Sequence, residues 1–212
     1  MLEIKNLKAG YNGKAVIDLS NFSLPKGKHC LILGPSGSGK TTLLYSIAGL
    51  LQPFSGEVLI DNTDVVSLRG SERDAFRGRN IGIIYQTLHM IPALSLLDNI
   101  LLAPYAAGAP KDIKRAEKLL EDMGLQGSIH KKPHELSQGQ QQRAAIARTV
   151  FCKPKIVLGG EPTSALDDGF CALVMKLLLD SAEKAGASLV IATHDHRIKK
   201  YFTKVITLGA VK

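Results

Sequence analysis

The run Gly34-Pro35-Ser36-Gly37-Ser38-Gly39-Lys40-Thr41-Thr42 carries the most concentrated chemistry in the chain. Glycines let successive backbone N–H groups turn inward around phosphate oxygens, and a helix starting there aims its positive end at them. Lys40 then supplies a mobile cation for the outer phosphates, and the Thr41 hydroxyl is placed to bind Mg²⁺. The run follows the apolar segment HCLIL and precedes TLLYSIAGLL, so strand, loop and helix are expected in that order. That setting separates a phosphate cradle from a glycine-rich turn with a surface lysine.

Three other places combine the right residue types. Leu136-Ser137-Gln138-Gly139-Gln140 opens the amphipathic stretch QQQRAAIARTVF, where Ser137 fits an N-cap. A helix start with Ser and Gly can hold a second anion, although read alone the plain capped helix is the favoured reading. Glu161 stands just past the apolar run KIVLGG, where low solvation is expected to raise its pKa toward the range of a general base. An N-cap or surface glutamate is the other reading. His194 and His196 lie close together, but two histidines without a third ligand do not define a metal site.

The elements that must position these residues follow from hydrophobic patterning. HCLILG, IGIIYQ, KIVLGG, SLVIATH and KVITLGAV are short runs apolar on both faces, as in the strands of a buried parallel sheet. LEIKNL and AVIDLSNFSL alternate more and are punctuated by Gly10, Gly13, Pro25 and Gly27, which predicts antiparallel hairpins before the parallel sheet. From Leu94 to about Val150 helical patterns take over; DIKRAEKLLEDMG places Ile113, Ala116, Leu119, Leu120 and Met123 at helical spacing and ends on Gly124 as a C-cap.

At 212 residues the chain suits one sizeable core. Lys and Arg outnumber Asp and Glu by 27 to 19, a surplus of +8 that favours polyanionic partners. Those cations are scattered, apart from short runs such as Lys131-Lys132 and Lys199-Lys200, and no aromatic-interleaved basic stripe accompanies them, so no nucleic acid is expected. Cys30, Cys152 and Cys171 are odd in number and lack metal-ligand spacing, pointing to a reducing compartment. No export signal is visible at the N-terminus, and the most apolar stretch, Ile91 to Pro110, contains Asp98, Asn99 and Pro104 and so fails as a membrane span.

The order of GPSGSGKTT, LSQGQQQRAAIAR, IVLGGEPTSALD and IATHD resembles the nucleotide-binding subunit of ATP-binding cassette (ABC) transporters, from about Leu2 to the last strand. FRGRNIGIIYQ with HMIPALSLLDNILL is similar to the branch that powers lipoprotein release and macrolide-type export. The resemblance implies an α/β fold: a P-loop NTPase (RecA-like) core with a mostly parallel sheet over 1–86 and 151–212, an N-terminal antiparallel β subdomain, and an inserted α-helical subdomain at about 87–150.

It also implies ATP with Mg²⁺, and a role for each matching residue. Tyr11 would stack on adenine. Gly34 to Thr42 would hold the phosphates, Thr41 and Gln86 would reach Mg²⁺, and Gln86, taken as the end of its strand, would also touch the attacking water. Glu161 would polarise that water and His194 would hold the γ-phosphate. Asp167 would signal between paired sites, while Ser137, Gly139 and Gln140 would close over ATP on the sister subunit of a head-to-tail homodimer or heterodimer. Membrane permease subunits would be the partners, with the chain cytoplasmic and peripheral on the inner face of the membrane.

Two positions depart from the family pattern. Gln138 replaces a glycine, and Gly160 replaces an aspartate that hydrogen-bonds near Thr41 and a Mg²⁺-bound water. Nucleotide binding is expected to survive and hydrolysis to slow. The alternatives are an ATP-switched dimerising subunit with little hydrolysis, or a soluble ABC ATPase acting on nucleic acid.

Overall fold

The computed structural model describes residues 1–164 and 166–209. Ala165, within the SALD segment, and Ala210 and Val211, at the end of the expected strand run, lie outside them. In chain order the elements are β1 (Leu2–Tyr11), β2 (Lys14–Leu24), β3 (His29–Leu33), α1 (Lys40–Ile47), β4 (Ser55–Ile60), β5 (Thr63–Asp64), α2 (Gly70–Asn80) and β6 (Ile81–Ile84). There follow α3 (Leu96–Ala106), α4 (Ile113–Asp122), α5 (Gln138–Val150), β7 (Ile156–Gly160), α6 (Asp168–Ala185), β8 (Ser188–Thr193) and β9 (Lys204–Thr207).

The apolar runs form a five-stranded parallel sheet in the order β6-β7-β8-β3-β9. Successive side chains on each strand serve opposite faces, and the sheet buries both. Leu31, Leu33, Val157, Leu189 and Ile191 join a core with α3 to α6. Cys30, Ile32, Ile156, Leu158, Val190 and Ala192 join a second core with α1, β1, β2 and β4. That second core is roofed by the antiparallel sheet β2-β1-β4-β5, the hairpin region expected from the alternating N-terminal segments.

Among the described residues, the chain between β6 and β7 holds only helical elements. Asp112 caps α4 through the Arg115 amide at 3.0 Å, and Gly124 follows its C-terminus at φ 68°, the left-handed conformation that closes a helix. Helix α2 precedes β6 and buries no residue fully, so no apolar periodicity announces it. One expectation needs correction. Strand β6 ends at Ile84, whose partner is Gly159, so Gln86 sits two residues beyond the sheet; His194 likewise follows β8.

Parallel pairing brings the strand ends to one edge. Leu33 pairs with Thr193 and Gly160 with Ala192, so the turns after β3, β7 and β8 emerge side by side, with that of β6 next to them. Ligands in open α/β sheets bind at this carboxyl edge.

Candidate functional site

The cradle begins where Gly34 donates its amide to Thr193 O at 3.3 Å, tying the loop to the end of β8. Gly37 and Gly39 adopt φ of 78° and 89°, a region that side chains disfavour. Gly39 is also closely packed: a Cβ there would lie 2.6 Å from Ile17 Cδ1 and 2.9 Å from Val16 Cγ1, so the β1–β2 hairpin rests directly on the loop. Helix α1 starts from Gly39 without a side-chain cap, leaving its first amides free for an anion.

Lys40 is buried, and its Nζ donates to Gly34 O at 2.8 Å and Pro35 O at 2.9 Å while standing 3.4 Å from Glu161 Oε1. A cleft of about 900 Å³ opens over the loop, lined by Tyr11, Val16, Pro35, Ser36, Gly37, Gly39, Lys40, Thr41, Thr42, Gln86, Glu161 and His194. Tyr11 is half exposed at its rim. Gly34 and Ser38 support the loop from beneath, with Ser38 buried.

Glu161 takes φ 50°, a left-handed conformation costing an ordinary residue roughly 1–2 kcal/mol. Its amide donates to Ala192 O at 2.9 Å, and its carboxylate is held on both oxygens. Thr193 Oγ1 donates to Oε2 at 2.6 Å, and His194 Nδ1 lies 3.0 Å from Oε1. Partial burial pushes the Glu161 pKa up, but the hydrogen bonds from Thr193 and His194, with the charges of His194 and Lys40, outweigh it and hold the carboxyl below its ordinary value. The expected upward shift is therefore corrected: desolvation acts as anticipated, and its neighbours reverse the outcome.

Gln86 Nε2 donates to Ser164 Oγ at 3.4 Å, and Ser164 Oγ donates to Glu161 O at 3.3 Å, linking the turn after β6 to that after β7. At Gly160 a Cβ would meet only Leu44 Cδ1, at 3.7 Å. The space beyond is a cavity of about 230 Å³ reaching from Glu161, Lys40 and Thr41 to Leu44, Ala48, Ile84 and Leu158. Among the described residues lining this cavity and the cleft above Lys40, Glu161 is the one carboxylate.

The remaining expected residues lie apart from this cleft. Ser137 caps α5 by accepting from the Gln140 amide at 3.3 Å, and Gln140 Oε1 accepts from the Ser137 amide at 2.9 Å, a reciprocal capping box. Gly139 packs on Phe170, where a Cβ would lie 2.6 Å from Cζ. Asp167 caps α6 through the Phe170 amide at 2.8 Å. None of Ser137, Gly139, Gln140 and Asp167 lines the cleft above Lys40.

Sequence reasoning passed over Thr193, Asp195 and Arg197. Thr193 reads as one more strand residue, and the Asp195-x-Arg197 spacing was the one available signal of an ion pair beside the site.

A parallel sheet with an uncapped, lysine-bearing glycine loop at its carboxyl edge, faced by a carboxylate and a histidine, defines a phosphate-loop nucleotide-binding protein. A family profile described as "ABC transporter" matches residues 17–164, and the chain belongs to that family. Its relatives include the lipoprotein-releasing system ATP-binding protein LolD of Syntrophotalea carbinolica, 35% identical over 215 residues covering 99% of this chain and 95% of that protein. An ABC transporter ATP-binding protein of Methanocaldococcus jannaschii, MJ1508, is 40% identical over 214 residues, 98% of this chain and 95% of its own. Among solved structures, a dimeric post-hydrolysis state of the ATP-binding cassette MJ0796 bound to ADP and Pi aligns with TM-score 0.84 and 35% identity, over 98% of this chain and 94% of that one. These likenesses agree with the fold class and with the lipoprotein-release branch that the sequence resembles.

Proposed function

We propose that the chain binds ATP with Mg²⁺ at Lys40 and hydrolyses it within a head-to-tail pair, energising membrane permease subunits from the inner face of the membrane. The observation that carries this reading is the meeting of Lys40, Glu161 and His194 over an open helix N-terminus. The cleft is large enough for a nucleotide, and Tyr11 at its rim offers a ring face to a flat base.

The Thr41 hydroxyl and the Gln86 amide oxygen suit a hard cation that also draws on phosphate oxygens, and these two residues would hold Mg²⁺. When bound, the ion neutralises charge on the outer phosphates. In this reading Lys40 turns from Glu161 to the outer phosphates when nucleotide binds. As it swings to them, Glu161 loses a cationic neighbour and gains an anionic one, so its pKa rises toward the range of a working base. Glu161 then accepts the proton of the attacking water, and His194 orients the carboxylate and meets the γ-phosphate.

The cradle covers its ligand from one side only. Ser137, Gly139 and Gln140 of a sister chain complete the enclosure, Asp167 lies at the junction, and the helices of about 87–150 carry the motion outward. The MJ0796 cassette, dimeric with ADP and Pi, supports this arrangement. The LolD relative points to lipoprotein release as the transport class. Among the described residues no helix is long and apolar enough to cross a membrane, consistent with permeases supplied by other chains.

Gly160 favours a second reading, a subunit that pairs on ATP with little turnover. Equilibrium dialysis with ATP, followed by phosphate release from the paired protein, separates the two. Retention with steady phosphate production supports hydrolysis, retention without it supports the switch, and no retention defeats both.

A further inference from the structure

Beside the Glu161 cluster, the chain devotes an entire guanidinium to joining two of its turns. Arg197, three residues beyond His194, donates from Nε to Asp195 Oδ1 at 2.9 Å and from Nη2 to Asp195 Oδ2 at 2.8 Å, a bidentate pair with a buried carboxylate. The same head reaches across to the turn after β7. Nη2 donates to Thr163 O at 3.3 Å, and Nη1 donates to Leu166 O at 3.1 Å and Asp168 Oδ1 at 2.6 Å. Thr163, fully buried, returns a bond from Oγ1 to Asp195 Oδ2 at 3.0 Å, and the Asp195 amide donates to Thr193 Oγ1 at 2.9 Å. Since Thr193 Oγ1 itself donates to Glu161, one continuous network runs from Arg197 to the carboxylate.

Glu161 holds a left-handed backbone conformation that its residue type disfavours, so something must over-determine the turn that follows it. Carbonyls on an irregular turn also need donors, and here one side chain supplies Thr163 and Leu166 together. Lysine could meet Asp195 but not this fork, because its donors radiate from a single point.

We infer that Arg197, braced by Asp195 and Thr163, is a positioning residue for hydrolysis: it locks Thr163, Leu166 and Asp168, after β7, to the end of β8, so that Glu161 meets His194 and Asp167 is presented to a sister chain in one fixed arrangement. The residue is distant from the phosphate cradle in its contacts, so it acts on turnover and not on nucleotide capture. This inference rests on the proposed role of Glu161 as base.

The test measures ATP affinity, kcat and KM for the wild type, Arg197→Met, Arg197→Lys and Glu161→Gln, with amide hydrogen exchange of residues 162–168 in the nucleotide-free chain. Arg197→Met is expected to keep ATP affinity and KM within about twofold, to lower kcat by up to about 100-fold, and to lose protection over 162–168. Arg197→Lys should recover part of both losses. Unchanged kcat and protection in Arg197→Met overturn the inference, as does a loss confined to KM. Should Arg197→Met fail to bind ATP, Asp195→Asn carries the test, and wild-type kcat with wild-type protection in it overturns the inference equally. Glu161→Gln separates the two claims: hydrolysis persisting in that variant removes the base, whereas hydrolysis abolished there and untouched in Arg197→Met removes only the brace.

Discussion

Helices α1 and α5 both begin at glycine-containing turns, yet they treat their first amides in opposite ways. Gly39 leads into α1 at φ 89° with no side-chain cap, in buried surroundings, so the amides await a ligand. Ser137 and Gln140 satisfy each other reciprocally at the exposed start of α5. A helix end left open inside the protein is an anion site already assembled, whereas a capped one on the surface has to exchange an internal bond for an external one. The difference orders the proposed events: capture at Lys40 comes first, and closure by the partner's α5 turn comes second.

The sharpest way to probe that order is to remove the chemistry between the two turns. Glu161→Gln is expected to lower kcat for phosphate release by about 10²- to 10⁴-fold while dialysis still shows ATP retained; wild-type release would take the base role away. Next in size, Lys40→Met should weaken ATP binding roughly 100-fold, measured as Kd on the single chain. Gly160→Asp follows: the position has room for a side chain, and the half-saturating Mg²⁺ concentration for hydrolysis should fall about 10- to 100-fold. A flat response in that titration would show that the vacancy is inconsequential.

Smaller still, Ser137→Ala should leave single-chain ATP affinity unchanged and weaken ATP-dependent pairing about fivefold, the equivalent of roughly 1 kcal/mol, by sedimentation. Equal losses in both would erase the distinction between the turns.

The mildest test concerns acid. The Arg197 side chain, with help from the Arg197 amide and Thr163, holds the Asp195 carboxyl down at about 2 against an ordinary 3.8. A depressed carboxylate contributes stability that is present above the higher value and is lost as pH falls through the lower. Acid unfolding of the wild type and of Asp195→Asn should therefore differ at pH 5 and converge as the pH approaches about 2.

What the sequence disclosed and what it concealed divide along the same physical line. The cradle was legible because strand, glycine loop and helix are contiguous, and the capping of α5 because Ser137 stands directly before the helical run. The direction of the Glu161 pKa was not, since Thr193, His194 and Lys40 come to it from distant parts of the chain through the register of parallel strands. The bounds of helix α2 were not legible because amphipathic reading needs an apolar stripe, and this helix has no fully buried residue to supply one. Arg197 looked like another scattered surface cation until Thr163 and Leu166 were seen beneath it.

The seating of Val16 and Ile17 on Gly39 has a mechanical corollary. Tyr11 stands at the tip of the same hairpin whose aliphatic side chains press on the loop, so the ring end and the charged end of a nucleotide would be felt by a single stiff lever. On the proposed binding mode, a swap at the tip that shifts this lever would slacken the grip on the triphosphate as well, coupling the choice of base to the tightness of the hold.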